Sequence, residues 1–389
     1  MSERAALSRA TALVRREPIL VALLLFSTAF FAYRWTVDLQ RPGAQTPEGW
    51  RGYTDQGFYL REAMHLGNLE TIPQEQFVYG PGYPALAAPF AGIGEHGWPF
   101  EDPFMPANGL IWLLTVAVTY LVGRRVGGEA VGVGSTLALV LATPLIGVVT
   151  LPWNTTASLA ALMLVSLIAL AGELKWWHGA ALGFAVALAY SARYVDALWV
   201  GMAVLTVLAA RGAFSRRSPQ AMLGAVGGAL AGLAPTLWLH WAAFGDPFAV
   251  SYRRLGNPVT GNDFDLDNIG PHALQTFVSP FFFEDNGQRG ASQPLLSSMF
   301  LLVLVPLGFW LVVRRGARAR RILAVGFGVT SLAATIFYLS YWFTGSFGLG
   351  FGAIHYFKMW FPLWTIAAMV AVVEGVRSLA ARRVTSTPG

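Results

Sequence analysis

From residue 18 onward the chain returns repeatedly to apolar stretches of membrane-spanning length, and arginine clusters mark the breaks between them. The first stretch, "PILVALLLFSTAFFAYRWTV" at residues 18 to 37, sets the pattern. A hydrocarbon core about 30 Å thick takes roughly 20 such residues as a helix. The sequence therefore predicts an all-α integral membrane protein with about ten transmembrane helices. Their expected positions are 18 to 37, 105 to 123, 129 to 150, 156 to 172, 179 to 190, 197 to 210, 220 to 243, 295 to 313, 322 to 342 and 356 to 376.

Composition agrees: 55% of residues are hydrophobic and 12% charged, which excludes an ordinary soluble globular domain. The net charge of +6 does not point to nucleic acid, because the arginines are not gathered on one polar face. They precede the first span (Arg4, Arg9, Arg15, Arg16), then recur at Arg124 and Arg125, at Arg211, Arg216 and Arg217, in "RRGARARR" at 314 to 321, and at Arg377, Arg382 and Arg383. If each cluster is cytoplasmic, the spans between clusters come in pairs, as the positive-inside rule requires. This places residues 1 to 17 and the tail 377 to 389 in the cytoplasm, with 18 to 376 as the polytopic domain. The basic and apolar N-terminal segment reads as an uncleaved anchor. No cysteine is present, so disulfides, thiolate metal sites and cysteine nucleophiles are excluded. Two lysines against 25 arginines, among many alanines, suggest a GC-rich bacterium and hence its cytoplasmic (inner) membrane.

Two connections on the opposite side are long, 38 to 104 and 244 to 294. Rich in aromatics, glycine and proline, they read as folded caps. From "GYTDQGFYL" (52 to 60) onward, Leu60, Ala63, Met64 and Gly67 keep helical spacing. They imply a helix beginning near Thr54 or Asp55 and lying in the bilayer interface. "VYGPGYPALAAPFAGIG" (78 to 94) predicts a second interfacial or partly re-entrant helix. The fifth and sixth spans read as only about 12 and 14 residues, too short to cross, so "SARYVDAL" (191 to 198) between them is expected to be recessed. Arg193 and Asp196 would then lie at membrane depth, either paired with each other or with the arginine facing a ligand.

This order of elements resembles the GT-C superfamily of polytopic glycosyltransferases, in particular its protein-mannosyltransferase-like branch. The resemblance runs through "TDQGFYL", "YGPGYPALAAPF", "WAAFGDPFAVSY" (241 to 252), "FVSPFFFEDNGQRGASQPLL" (277 to 296) and "HYFKMWFPLW" (355 to 364), and so covers most of the chain. It implies a transferase that takes a sugar from a polyprenyl-phosphate donor on the non-cytoplasmic face, with an acidic residue at the start of the first outside loop. That residue is Asp55. The sequence departs from the pattern at Gln56 and Asn154, where relatives often carry acids, and at His355, where arginine is common.

Glycosyl transfer needs a base for the acceptor's proton and cations for the leaving phosphate. Asp55 is the candidate base; a helix N-terminus would hold it ionised and weaken its basicity. Arg193, Arg253, Lys358 and His355 are the candidate phosphate-binding residues, with Arg254 and Arg289 the remaining cations on that side. His355 and Lys358, three apart, would share a helix face. Gln56, Tyr59, Tyr79, Tyr83 and Asn154 are candidates to line the substrate, although aromatics such as Tyr53 and Trp98 also fit an interfacial belt. A divalent cation, magnesium or manganese, is the candidate cofactor, with Asp55 its candidate ligand. The alternating acids of "NDFDLDN" (262 to 268) fail as an EF-hand loop, because Asn268 and Leu274 stand where glycine and glutamate are required. The reading is an inverting glycosyltransferase with a glycan, lipid or protein acceptor. The alternatives are a transporter or flippase for a lipid-linked sugar and a non-catalytic scaffold of the same fold.

Overall fold

The computed structural model describes residues 16–37, 54–94, 103–142, 152–214, 219–249, 264–278, 281–283, 289–291, 300–341 and 354–385. The ten predicted spans correspond to helical segments throughout. They are α1 (Pro18–Val37), α4 (Phe104–Gly127), α5 (Glu129–Val140), α6 (Thr155–Ile168), α7 (Trp176–Ala192), α8 (Tyr194–Ala210), α9 (Pro219–Phe244), α11 (Val305–Arg315), α12 (Arg318–Ser340) and α14 (Phe361–Thr385). A 3₁₀ turn (Phe300–Leu304) leads into α11, and α13 (Ile354–Phe357) with a second 3₁₀ turn (Lys358–Trp360) leads into α14. Five of the helical segments are long and apolar enough to cross a membrane. Helix α5 runs to Val140, and residues 143 to 150 of the expected span lie outside the described residues.

Between α1 and α4 lie the two expected additional helices, α2 (Thr54–Gly67) and α3 (Gly82–Gly94). The second long connection contributes a 3₁₀ turn (Leu266–Asn268), α10 (Ile269–Ala273) and a π-type turn (Leu274–Val278). It also holds a two-stranded antiparallel hairpin, β1 (Phe281–Phe283) with β2 (Arg289–Ala291), in the register Phe281↔Ala291. The Asp265 carboxylate caps the 3₁₀ turn by accepting from the Asp267 N–H at 3.0 Å. The alternating acids therefore act locally as turn formers. Asp263 lies outside the described residues.

Helices α7 and α9 touch backbone to backbone. A Cβ on Gly183 would come within 1.8 Å of the Ala225 carbonyl oxygen, and one on Gly228 within 2.0 Å of that of Ala180. Small residues at this seam allow the approach, and the other face of α9 presents Leu223, Val226, Leu230, Trp238 and Trp241 outward, as lipid contact requires.

The arginine-rich connections share one end of the bundle. There Arg124 forms a bidentate pair with Glu17 (2.5 and 3.1 Å), Glu374 binds both Arg315 and Arg377, and Arg211 donates to the Ala169 carbonyl. The candidate residues Gln56, Asn154, Arg193, His355 and Lys358 lie at the opposite end.

One expectation about the junction of α7 and α8 is corrected. Both helices have 17 residues, so each is about 26 Å long and close to spanning. The segment joining α2 to α3 packs against the two residues that precede Arg193. A Cβ on Gly80 would strike the Ser191 carbonyl oxygen at 2.1 Å, and one on Gly82 the Ala192 nitrogen at 2.7 Å. Glycines at these two positions let this segment seat directly on the backbone of the junction.

Candidate functional site

Arg193 is the single extended residue between α7 and α8 (φ −159°, ψ 111°). Its guanidinium carbon lies 4.3 Å from the centre of the Tyr356 ring and 5.0 Å from that of Tyr338, two cation–π contacts that fix the plane of the fork. Its Nη1 is buried with no hydrogen-bond partner among the described residues. Asp196, one turn into α8, does not staple it. Its two oxygens instead accept from Ser158 Oγ (2.5 Å) on α6 and from the Tyr338 hydroxyl on α12. Of the two readings open for this pair, the Arg193–Asp196 side-chain staple is not formed.

Lys358 is fully buried, and its Nζ donates to Thr156 Oγ1 at 2.5 Å. The predicted proximity of His355 and Lys358 is present, although they belong to two successive short turns instead of one regular helix. His355 is stacked on Trp153 at 4.5 Å and 7°. Thr156, Ser158, Trp153 and Asn154 belong to the start of α6 or the residues before it, so this helix end gathers Lys358, His355 and, through Asp196, the α7–α8 junction. Asn154 closes the group by donating from Nδ2 to the Ala192 carbonyl at 3.3 Å.

The first connection reaches the same place. Gln56 is buried, and its Nε2 donates to the Pro152 carbonyl at 3.0 Å; its Oε1 is buried with no partner among the described residues. Asp55 precedes it in the first turn of α2, and its side chain lies outside the described residues. Arg253 and Arg254 also fall outside them. Arg289 is described only as backbone in β2.

The tyrosines assigned to the substrate divide. Tyr59 and Tyr83 are fully buried and hold the cap together: they meet edge to face at 5.4 Å, and the Tyr83 hydroxyl donates to Asn108 Oδ1 at 3.0 Å. Tyr79 is half-buried, at 5.0 Å from Tyr59. They position α2 and α3 on α4.

Glu62, which no sequence motif singles out, is buried on α2 and accepts from the Val78 and Tyr79 amides at 3.1 and 3.3 Å. It ties α2 to the segment that packs on the α7–α8 junction. Burial pushes its carboxyl well above the ordinary value of 4.5, against the two amides and Arg61, which favour the anion. A carboxyl with a raised native value stabilises the fold fully below the unfolded value and loses that contribution as pH rises through the native one. Glu62→Gln keeps the acceptor and removes the charge, so its melting temperature should match wild type at about pH 4.5 and exceed it increasingly up to about pH 8. Melting curves of the two proteins across that range provide the check; parallel curves would show that Glu62 does not titrate as described.

Among the described residues no three acidic or histidine side chains converge on a point. Asp196 is occupied by two hydroxyls and Glu62 by two amides. Asp55, the candidate ligand for a divalent cation, has its side chain outside the described residues.

No family model matches the chain, and no curated protein sequence matches it. Solved structures do. The crystal structure of ArnT from Cupriavidus metallidurans bound to undecaprenyl phosphate superposes with a TM-score of 0.60 at 14% identity, covering 92% of this chain and 60% of that one. The apo form of the same protein gives 0.56 at 15%, covering 93% and 60%. The chain has the GT-C fold. It spans about 60% of the length of ArnT, and at this identity the likeness is one of architecture. The expected all-α GT-C organisation, with additional helices in the first long connection, is what the structure contains. The site brings together a buried lysine, an arginine against two stacked tyrosine rings and a buried glutamine from the first connection.

Proposed function

We propose that the protein is an inverting glycosyltransferase that moves a sugar from a polyprenyl-phosphate donor to an acceptor hydroxyl. The observation that carries this reading is the pair of cations, the half-buried Arg193 and the buried Lys358, brought by separate segments to the end of the bundle where α2 begins. A buried cation in an apolar bundle is costly unless it meets an anion, and a guanidinium fork with a free edge suits phosphate oxygens. ArnT, which shares the architecture, has been crystallised with undecaprenyl phosphate.

In the mechanism, Arg193 and Lys358 hold the donor phosphate and take up the charge that develops as the glycosidic C–O bond breaks. Asp55 accepts the proton of the acceptor hydroxyl as its oxygen attacks the anomeric carbon from the opposite face. Gln56 Oε1 accepts a hydrogen bond from a sugar or acceptor hydroxyl. The positive-inside reading puts both termini in the cytoplasm and the site at the outer face of a bacterial cytoplasmic membrane. A divalent ion near Asp55 belongs to this proposal only as an optional addition.

The test is mass spectrometry of envelope glycolipids and glycoproteins from a strain lacking the gene, with and without the wild-type gene restored. Loss of one sugar's mass, restored by the gene, is the expected result. The purified protein in vesicles should then transfer that sugar from its lipid phosphate without any further protein. Lipid-linked sugar crossing the bilayer with no transfer would identify a flippase instead, and an unchanged envelope would remove the proposal.

A further inference from the structure

At the end of the bundle opposite the candidate site, the turn between α11 and α12 carries Arg314, Arg315, Arg318, Arg320 and Arg321, all exposed. Arg315 pairs with Glu374, whereas Arg318, Arg320 and Arg321 have no acidic partner among the described residues. Arg321 commits only its Nε, to the Gly316 carbonyl at 2.7 Å. These arginines do not serve α12 itself: positive charge in a first turn opposes the helix dipole, no acid stands there, and like charges three residues apart repel. Their depth is marked by Trp310 of α11, which is 50% exposed and carries the Arg314 guanidinium 5.1 Å from its ring centre. Exposed tryptophan beside a cation is what the headgroup level of a bilayer favours.

Below the arginines, α12 has an exposed apolar stripe. Val325, Val329, Leu332 and Ile336 are 43 to 60% exposed. At about 100° per residue they share with Arg318 and Arg321 one sector of the helix about 80° wide. Val325 to Ile336 covers about 16 Å along the axis, close to one leaflet of a hydrocarbon core about 30 Å thick. We propose that this face of α12 binds an anionic glycerophospholipid, its phosphate between Arg318 and Arg321 and an acyl chain along Val325 to Ile336. The Arg321 fork, fixed through Nε, keeps its outer edge for phosphate oxygens, and one anion between the two arginines removes their repulsion. A zwitterionic lipid offers the same phosphate but brings its own cation to the pair, so the site discriminates by headgroup charge. This surface is separate from Arg193 and Lys358, and the proposal does not depend on the transfer reaction.

The test is native mass spectrometry of the detergent-purified full-length protein, titrated with dioleoylphosphatidylglycerol or dioleoylphosphatidylcholine. Wild type is expected to hold phosphatidylglycerol about tenfold more tightly than phosphatidylcholine. In the double variant Arg318→Gln, Arg321→Gln the affinity for phosphatidylglycerol should fall about tenfold to thirtyfold, the effect of two arginines near an anionic headgroup, with phosphatidylcholine unchanged. Arg318→Lys with Arg321→Lys keeps both charges and should retain most of the preference. Equal wild-type affinities for the two lipids overturn the proposal, and this comparison decides even if the glutamine variant does not fold. A parallel loss of both lipids in the glutamine variant would mark an unselective apolar surface and also overturn it. Inorganic phosphate that competes as well as the lipid would make the ligand a soluble anion, and dimers abolished by Val329→Arg would put a second copy of the chain on the stripe; either result replaces the proposal.

Discussion

Lys358→Met is expected to give a protein that is at least as stable as wild type and nearly inactive. Methionine matches the length of the lysine stem, and the ammonium it replaces is fully buried. Dehydrating a charge costs several kcal/mol, and replacing a buried charge by an apolar group of similar volume is often neutral or stabilising. Loss of one preorganised donor to a developing phosphate charge lowers turnover by about 10²–10³-fold. Arg193→Lys should fall in the same range, although its charge is conserved, because an ammonium cannot present a planar fork beside the stacked Tyr338 and Tyr356 rings. Thermal melting and transfer rates, measured on the same preparations, check both statements. A Lys358→Met protein that melts well below wild type and keeps its rate would make the lysine a packing residue.

Much of this site is legible in the sequence because it depends on local signals. The start of α2 at Thr54, the second helix after Gly80 and Gly82, the positions of the spans and the closeness of His355 to Lys358 all derive from periodicity and breaker residues. The surroundings of Arg193 differ from those its sequence context suggests. Periodicity underestimates α7 and α8, whose alanine-rich ends continue the helix, and residues 80 to 82 pack against the two residues before Arg193.

Pairing between elements distant in the chain is not legible in this way. Ser158, Asp196 and Tyr338 sit on three apolar helices, and no local pattern joins a serine to a tyrosine 180 residues later. Glu62 offers a partial signal. It lies beside Ala63 on the face that also carries Gln56 and Tyr59, all buried, so a charged residue at that edge is a candidate for a buried tie. The hairpin also has one, the Asn286-Gly287 pair between the two strand segments, which is a strong turn dipeptide.

The three unusual groups at the site share a physical character. Arg193 Nη1 and Gln56 Oε1 are buried polar atoms without partners among the described residues, and Lys358 is a buried cation. The two unpartnered atoms lower the stability of the bundle, since an unsatisfied buried donor or acceptor costs about 1–3 kcal/mol. All three groups lie around the start of α6, whereas at the opposite end Arg124, Arg315 and Arg377 pair with glutamates and Arg211 donates to a carbonyl. Preorganised polar groups act on a ligand without first being reoriented, which suits the start of α6 to binding.

Asp55→Asn should separate the two roles open to an acid in the first turn of α2. As a purely structural group, a carboxylate there stabilises the helix through the dipole by about 0.3–1 kcal/mol, and asparagine would lose that amount while leaving transfer intact. As the base, it takes the proton of the attacking hydroxyl, and its loss should lower turnover by about 10²–10⁴-fold with the melting temperature nearly unchanged. Its neighbour Gln56 is anchored to Pro152 beside the start of α6, so the backbone at residue 55 is held close to the helix end that gathers Lys358 and His355. Binding of undecaprenyl phosphate should be retained in Asp55→Asn and weakened in Lys358→Met, because one removes chemistry and the other removes a phosphate contact. An Asp55→Asn protein that transfers sugar at the wild-type rate would show that the acceptor loses its proton to another group.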